Sequence, residues 1–265
     1  MKKILLFLLV TSLSLLIFAC NEKPNGEKPR ERFSQFYQVG DEVSMDLNGD
    51  GVKEKIYYGL DDFKINNVSY KKVIQTDVYE NTPQTEKYFI VDIDIEDEQR
   101  EIGLMVNGPS DDLETFFFSY DGEELLQLGS VPCAFKDLEE GFNGKGSIIG
   151  TMRLEVLQTW WAPAEWILDS SNYIELSDQE LFNPIQDWKV ELKIPLPIYK
   201  NIGDSNSFTM LEPQEVTFPA TDNREWCQVE GKDGVKGWFK IEGFYYLPDL
   251  GKDAIEVFDN LLMAD

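Results

Sequence analysis

The chain has 265 residues, with 24 Lys and Arg against 49 Asp and Glu, a formal charge of −25, and 42% hydrophobic residues. That apolar share supports a real core and excludes global disorder, while the acidic surplus excludes nucleic acid as a main partner and simple electrostatic attachment to anionic lipid. Histidine is absent, which removes Ser-His-Asp and Cys-His catalysis, HExxH zinc sites and an imidazole switch. Any catalysis would fall to carboxylates, Lys, Tyr, Ser or a metal.

Residues 1–19 read as an export signal: Met1-Lys2-Lys3 is basic, and Ile4 to Ala19 carries no charge. The apolar run is short for a membrane span of about 20 residues. Ile17-Phe18-Ala19-Cys20 resembles the lipobox of bacterial lipoproteins, with Phe18 replacing the usual small residue. The resemblance implies cleavage before Cys20, lipidation of Cys20, and a protein held on the outer face of the cell membrane. Residues 20–32, the Cys followed by a Pro- and Gly-containing polar stretch, read as a flexible linker. Cys133 and Cys227 are either a disulfide or two buried thiols.

Residues 33–185 hold 31 acidic and 10 basic side chains. Strands are expected at Lys55–Tyr58, Lys87–Ile95, Glu101–Val106, Thr115–Tyr120 and Arg153–Thr159, which are β-branched and aromatic. Asp121-Gly122 marks a turn, and Ser177 to Glu180 fits the capping box of a short helix.

Two acidic loops carry the sharpest chemistry. In the first, Asp46, Asn48, Asp50 and Glu54 alternate around Gly51, and the Val52 carbonyl can face the same centre. Such an all-oxygen set suits Ca2+, which takes six to eight ligands at flexible distance. An EF-hand would need Glu at position twelve, where Tyr57 stands. The run resembles instead the Asp-x-Asn-x-Asp-Gly-x-x-Glu calcium loops of FG-GAP and VCBS-type repeats, which lead into a strand. The alternative is an Asx-rich turn that merely solvates well. In the second loop, Asp92, Asp94, Asp97 and Glu101, with a carbonyl near Gln99, form a weaker set that lacks Gly and contains Arg100. Gly141 to Gly146 has the glycines without the acids. The starts at 46, 92 and 141 lie 46 and 49 residues apart, an interval that suits propeller blades of about 40–50 residues. Three units fall short of the usual four to eight blades, so propeller-like and sandwich architectures both stay open. A structural role is expected for the ion.

Residues 186–265 read as a small barrel with a short terminal helix. Ile194 to Lys200, Leu211 to Phe218, Trp226 to Val229, and Asp233 to Phe239 resemble bacterial SH3-like domains. That resemblance spans about 58 residues and departs from the family in the first loop, where Ile198-Tyr199-Lys200 stands. It implies a tight Trp-strand hairpin and an aromatic groove for cell-wall peptide, glycan or protein ligands, with Tyr199 and Trp238 lining it and Trp226 in the core. The alternative is that these rings only pack the barrel. Asp253 is expected to cap a helix whose Ile255, Phe258, Leu261 and Leu262 share one face.

The whole is an all-β chain, read first as a non-catalytic, calcium-stabilised, lipid-anchored surface protein. A carboxylate-dependent glycan hydrolase is the alternative, since it needs only two acids and Trp160, Trp161 and Trp166 flank Glu165.

Overall fold

Antiparallel meanders succeed one another along the chain, each built where apolar and β-branched residues alternate with polar ones. The computed structural model describes residues 35–59, 63–70, 84–107 and 113–263, all within the unit Arg32–Asp265. The signal, Cys20 and the linker lie outside the described residues. Those described form 21 strands and two helices of four residues, an all-β fold.

The first meander pairs Glu42–Met45, Glu54–Tyr58, Phe63–Ile65 and Val68–Tyr70 in that order. The second pairs Gln84–Val91, Glu101–Asn107, Leu113–Tyr120 and Leu125–Val131, with Tyr37–Gln38 added at its edge. The third pairs Ser147–Val156, Gln158–Leu168 and Ile174–Leu176. The acidic loops occupy the same topological place, the connection from first to second strand of meanders one and two. In the third, Phe142 bridges Ile148 around the glycine loop, so a single residue stands where the first strand would be. The interval read from the sequence thus corresponds to three units of like topology.

The second meander is buried on both faces. Tyr88, Ile90, Ile102, Leu104, Phe116 and Phe118 pack with Leu47, Ile56, Tyr58 and Phe63 of the first meander. The alternate residues Phe89, Val91 and Phe117 pack with Phe135, Phe142 and Ile148 toward the third. A sheet covered on both sides has little use for polar residues, which is why these strands read as near-continuous apolar runs. Gly103 sits opposite Phe89, and a Cβ there would lie 2.2 Å from that ring.

Residues 190–259 form a five-stranded sheet ordered Lys236–Lys240, Trp226–Gly231, Glu215–Thr221, Val190–Leu192 and Phe258–Asp259, plus the hairpin of Leu196–Ile198 with Thr209–Leu211. The expected Trp-strand hairpin is present and closes through Gly234 at φ +80°. One apolar cluster runs from Phe89 through Trp160 and Phe182 to Val190, Val229 and Phe258, so the core is continuous across position 185.

Three local expectations are corrected. Arg153–Thr159 is no single strand: the chain reverses at Leu157, which adopts φ +72°. Leu157 is fully buried and donates its N–H to the Phe244 carbonyl at 2.7 Å, so a contact from the turn after Lys236–Lys240 holds a turn with no turn residue. Ser177 to Glu180 forms no helix. Ser177 N–H is taken by the Glu165 carbonyl and Phe182 is pinned to Thr221, which keeps the segment out of a helix. The terminal helix is only Ala254–Val257, because Phe258 and Asp259 pair with Leu192 and Glu191 instead. Cys133 and Cys227 are both buried and unpaired.

Gly103→Ala is expected to lower unfolding free energy by about 1–3 kcal/mol through overpacking against Phe89. Urea denaturation checks this, and a midpoint equal to that of the parent protein would contradict the packing described.

Candidate functional site

The first loop is folded by its own side chains. Asp46 accepts the N–H of Gly49 at 2.9 Å through Oδ1 and that of Gly51 at 3.1 Å through Oδ2. Asn48 Oδ1 accepts from Asp50 N at 3.3 Å, and Asp50 Oδ1 accepts from Val52 N at 2.7 Å. Gly49 and Gly51 take φ +77° and +84°, a region side chains disfavour. Glu54 is 4% exposed and its Oε2 accepts the Leu47 N–H at 2.9 Å. The five ligands expected here therefore share one short loop.

The second loop repeats the scheme. Glu101, 2% exposed, accepts the Ile93 N–H at 2.9 Å through Oε2, as Glu54 does for Leu47. Asp94 accepts from Glu96 N and Asp97 from Gln99 N, while Asp92 is fully buried. Arg100, which looked like an internal competitor for a cation, reaches across to the first loop: Nη1 donates to the Asp46 carbonyl at 2.8 Å and the backbone N–H to the Leu47 carbonyl at 2.8 Å. A Cβ on Gly49 would lie 2.4 Å from the Glu98 Cβ, so the two loops touch.

The glycine loop joins the row. Gly146 N–H donates to the Ile93 carbonyl and Ile95 N–H to the Gly144 carbonyl. Asn143 Oδ1 accepts from Lys145 and Ser147, the Asx geometry of the first loop without its charge. Sequence spacing foresaw the three loops; nothing local indicated that they would lie side by side.

As a calcium site, the first loop fits in donor chemistry. Asp46, Asn48, Asp50, Glu54 and the Val52 carbonyl are hard oxygen donors, and an oxygen that accepts one N–H retains a further lone pair. Among the described residues no three acidic or sulfur side chains converge as a cage, so the amide and carbonyl would have to complete the set. In the second loop burial sets the chemistry. Desolvation pushes Glu101 up to about 8, opposed by the Ile93 N–H and reinforced by the charges of Asp97 and Asp92.

The expected ligand groove differs in its lining. Asp222 Oδ1 gathers the N–H groups of Arg224, Glu225 and Trp226 at 2.9, 3.0 and 2.9 Å, a tight turn that Asn223 enters at φ +53°. A groove of about 460 Å³ beside it is lined by Trp226 with Ile202, Asp222, Arg224, Ile241 and Glu242. Trp226 is buried at 6% exposure, as expected of a core residue, and shows only an edge to this groove. Trp238 is 8% exposed and Tyr199 half-buried, both clustered with Trp226. The Tyr199 ring meets Trp226 edge-on at 5.5 Å and its hydroxyl donates to Asp249 at 2.9 Å. Burial and the Asp249 carboxylate raise that hydroxyl above its ordinary pKa. The Asp-Asn-Arg-Glu-Trp run is an Asx turn that leads into the buried Trp226.

The tryptophans around Glu165 do not form one platform. Trp160 and Trp166 are buried in the core, whereas Trp161 and Glu165 occupy the alternate, half-buried positions of the strand. Glu165 bonds the Ser147 hydroxyl.

No family model matches the chain, and neither a curated protein nor a solved structure shows significant similarity to it.

With chelator present, stability is expected to fall as pH rises from about 4.5 toward 8. Folded Glu101 holds its proton to about 8, against 4.5 for the exposed acid, and folding therefore takes up a proton in that window. Glu101→Gln keeps an acceptor for Ile93 and should be at least as stable as the parent at pH 8. Thermal melts across pH check this; equal pH slopes in the two proteins would contradict it.

Proposed function

We propose that this chain is a non-catalytic, lipid-anchored protein of the outer cell-membrane face, stiffened by calcium and binding wall or protein ligands through its β surfaces. The observation that carries the reading is the repeated clamp: Glu54 on Leu47 N–H and Glu101 on Ile93 N–H, both at 2.9 Å and buried. A buried carboxylate is costly unless a charge or donor faces it, and a divalent cation would relieve the repulsion among neighbouring acids.

The ion would be held in the first loop by Asp46, Asn48, Asp50, the Val52 carbonyl and Glu54. In the second loop it would be held by Asp92, Asp94, Asp97, Glu101 and the Gln99 carbonyl. Its contribution there is charge neutralisation. The residues themselves set the loops: Asp46 holds the two glycine amides, and the Glu clamps hold Leu47 and Ile93 in the core. Extracellular modules often bind calcium at about 10⁻⁴–10⁻³ M, weak enough to need an outside supply. The FG-GAP- and VCBS-like spacing of the first loop and the SH3-like hairpin support the same reading. The lipobox-like Ile17 to Cys20 run supports export and anchoring, and a lipid on Cys20 would place the charged body outside the membrane. Among the described residues, no helix is long and apolar enough to cross a membrane.

Saturating calcium should raise the melting temperature of the parent chain relative to chelator, because a ligand that binds only the folded form stabilises it. Asp46→Asn with Asp50→Asn should shrink that rise to the share contributed by the second loop. Equal melting temperatures of the parent with and without calcium would defeat the calcium reading. Separately, Cys20→Ala should move the protein from the membrane pellet to the soluble exported fraction. A pellet unchanged by the substitution would defeat lipid anchoring.

A further inference from the structure

A trough lies outside the loops and beside the Trp226 groove. It measures about 810 Å³ and runs between residues 176–182 and the 222–224 turn, with Met152 at its wall. That volume is in the range of ligand sites, about 300–1,000 Å³. Both the trough and the Trp226 groove are lined by Ile202, Asp222 and Arg224, so the two are continuous.

We propose that this trough docks a polypeptide segment bearing lysine or arginine side chains. This deepens the reading of the chain as a non-catalytic binding protein and rests on it.

Three observations define the occupant. The first is apolar footing: Leu176, Leu181 and Ile202 stand about 40% exposed, at 41%, 40% and 41%, and await cover. The second is the form of the opposite wall. Residues 177–180 are irregular, with the Gln179 N–H closing a three-residue turn on the Ser177 carbonyl at 2.6 Å, and exposed Asp178 and Glu180 alternate with half-buried Ser177 and Gln179. The Gln179 amide donates to the Pro163 and Leu181 carbonyls at 3.4 and 2.9 Å, which fixes the segment. The two carboxylates therefore stand at the exposed positions of this wall, on either side of half-buried Gln179. Among the described residues neither has a hydrogen bond or ion pair. The third is charge. Asp178, Glu180 and Asp222 line the trough with one cation, Arg224, and Glu242 extends the acidic lining into the Trp226 groove, where Glu225 is ion-paired with Lys240 at 3.1 Å. Arg224 makes no ion pair among the described residues, so its guanidinium is available to a backbone carbonyl of the occupant. An anionic ligand meets repulsion here, and a neutral one leaves Asp178 and Glu180 unmatched.

The test uses the mature full-length chain in detergent with short fluorescent peptides of alternating Lys-Ala, Gln-Ala and Glu-Ala, followed by anisotropy at low salt. The Lys peptide should bind about tenfold more tightly than the Gln peptide, and the Glu peptide not at all. Asp178→Asn with Glu180→Gln should weaken the Lys peptide about fivefold, with an unchanged melting temperature. Glu139→Gln with Glu140→Gln, an equal charge change on the helix Leu138–Gly141, should leave it within about twofold. Equal losses in the two double variants would overturn the site, leaving only the diffuse field of a chain with charge −25. Equal binding of the Lys and Gln peptides would overturn the cationic occupant while sparing the binding reading. Absence of binding by all three would overturn the proposal outright.

Discussion

A carboxylate turned inward to hold one backbone N–H is the constraint on which the first two meanders depend. Glu54 and Glu101 each close a loop by capturing the amide of a fully buried residue, Leu47 or Ile93. The apolar side chain anchors the loop in the core while the acid ties its backbone. Because Leu47 and Ile93 belong to different core clusters, the two clamps fasten their loops to opposite faces of the second meander. The arrangement places negative charge where water is scarce, and it is the origin of the raised affinity of Glu101 for a proton. Acidity here is a structural element as much as a surface property.

From that row of loops the rest of the molecule follows by contact. Arg100 fastens the second loop to the first, and Gly146 fastens the third to the second. Below the loops, the strands of the second meander alternate sides so regularly that each face supplies a separate core. The C-terminal sheet joins the larger of these cores. The turn after Lys236–Lys240 also reaches back, with the Phe244 carbonyl holding the Leu157 turn. Trp160, Phe218, Phe239 and Phe258 pack ring against ring across the junction. The barrel and the meanders are therefore mechanically coupled, and the grooves at 176–182 and 222–226 draw their walls from both.

Much of this was legible residue by residue. Strands at 54–58, 101–107 and 113–120, the Asp121-Gly122 turn and the Gly234 hairpin follow from side-chain shape and glycine placement, which act within a few residues. The two acidic loops were legible because oxygen side chains alternate along both, around glycine in the first. The failures share a cause. Leu157 turns, Ser177 to Glu180 stays out of a helix and Phe258 enters a sheet because partners distant in sequence take their hydrogen bonds.

The sequence by itself determined an all-β chain, the three loop positions and the oxygen character of two of them, since period, β-propensity and Asx geometry are local quantities. The tertiary structure alone decided that the loops form one row, that one sheet is buried on both faces and that a trough opens beside the barrel. Those features are made by pairings between residues tens of positions apart, and neither composition nor spacing specifies which surfaces will meet.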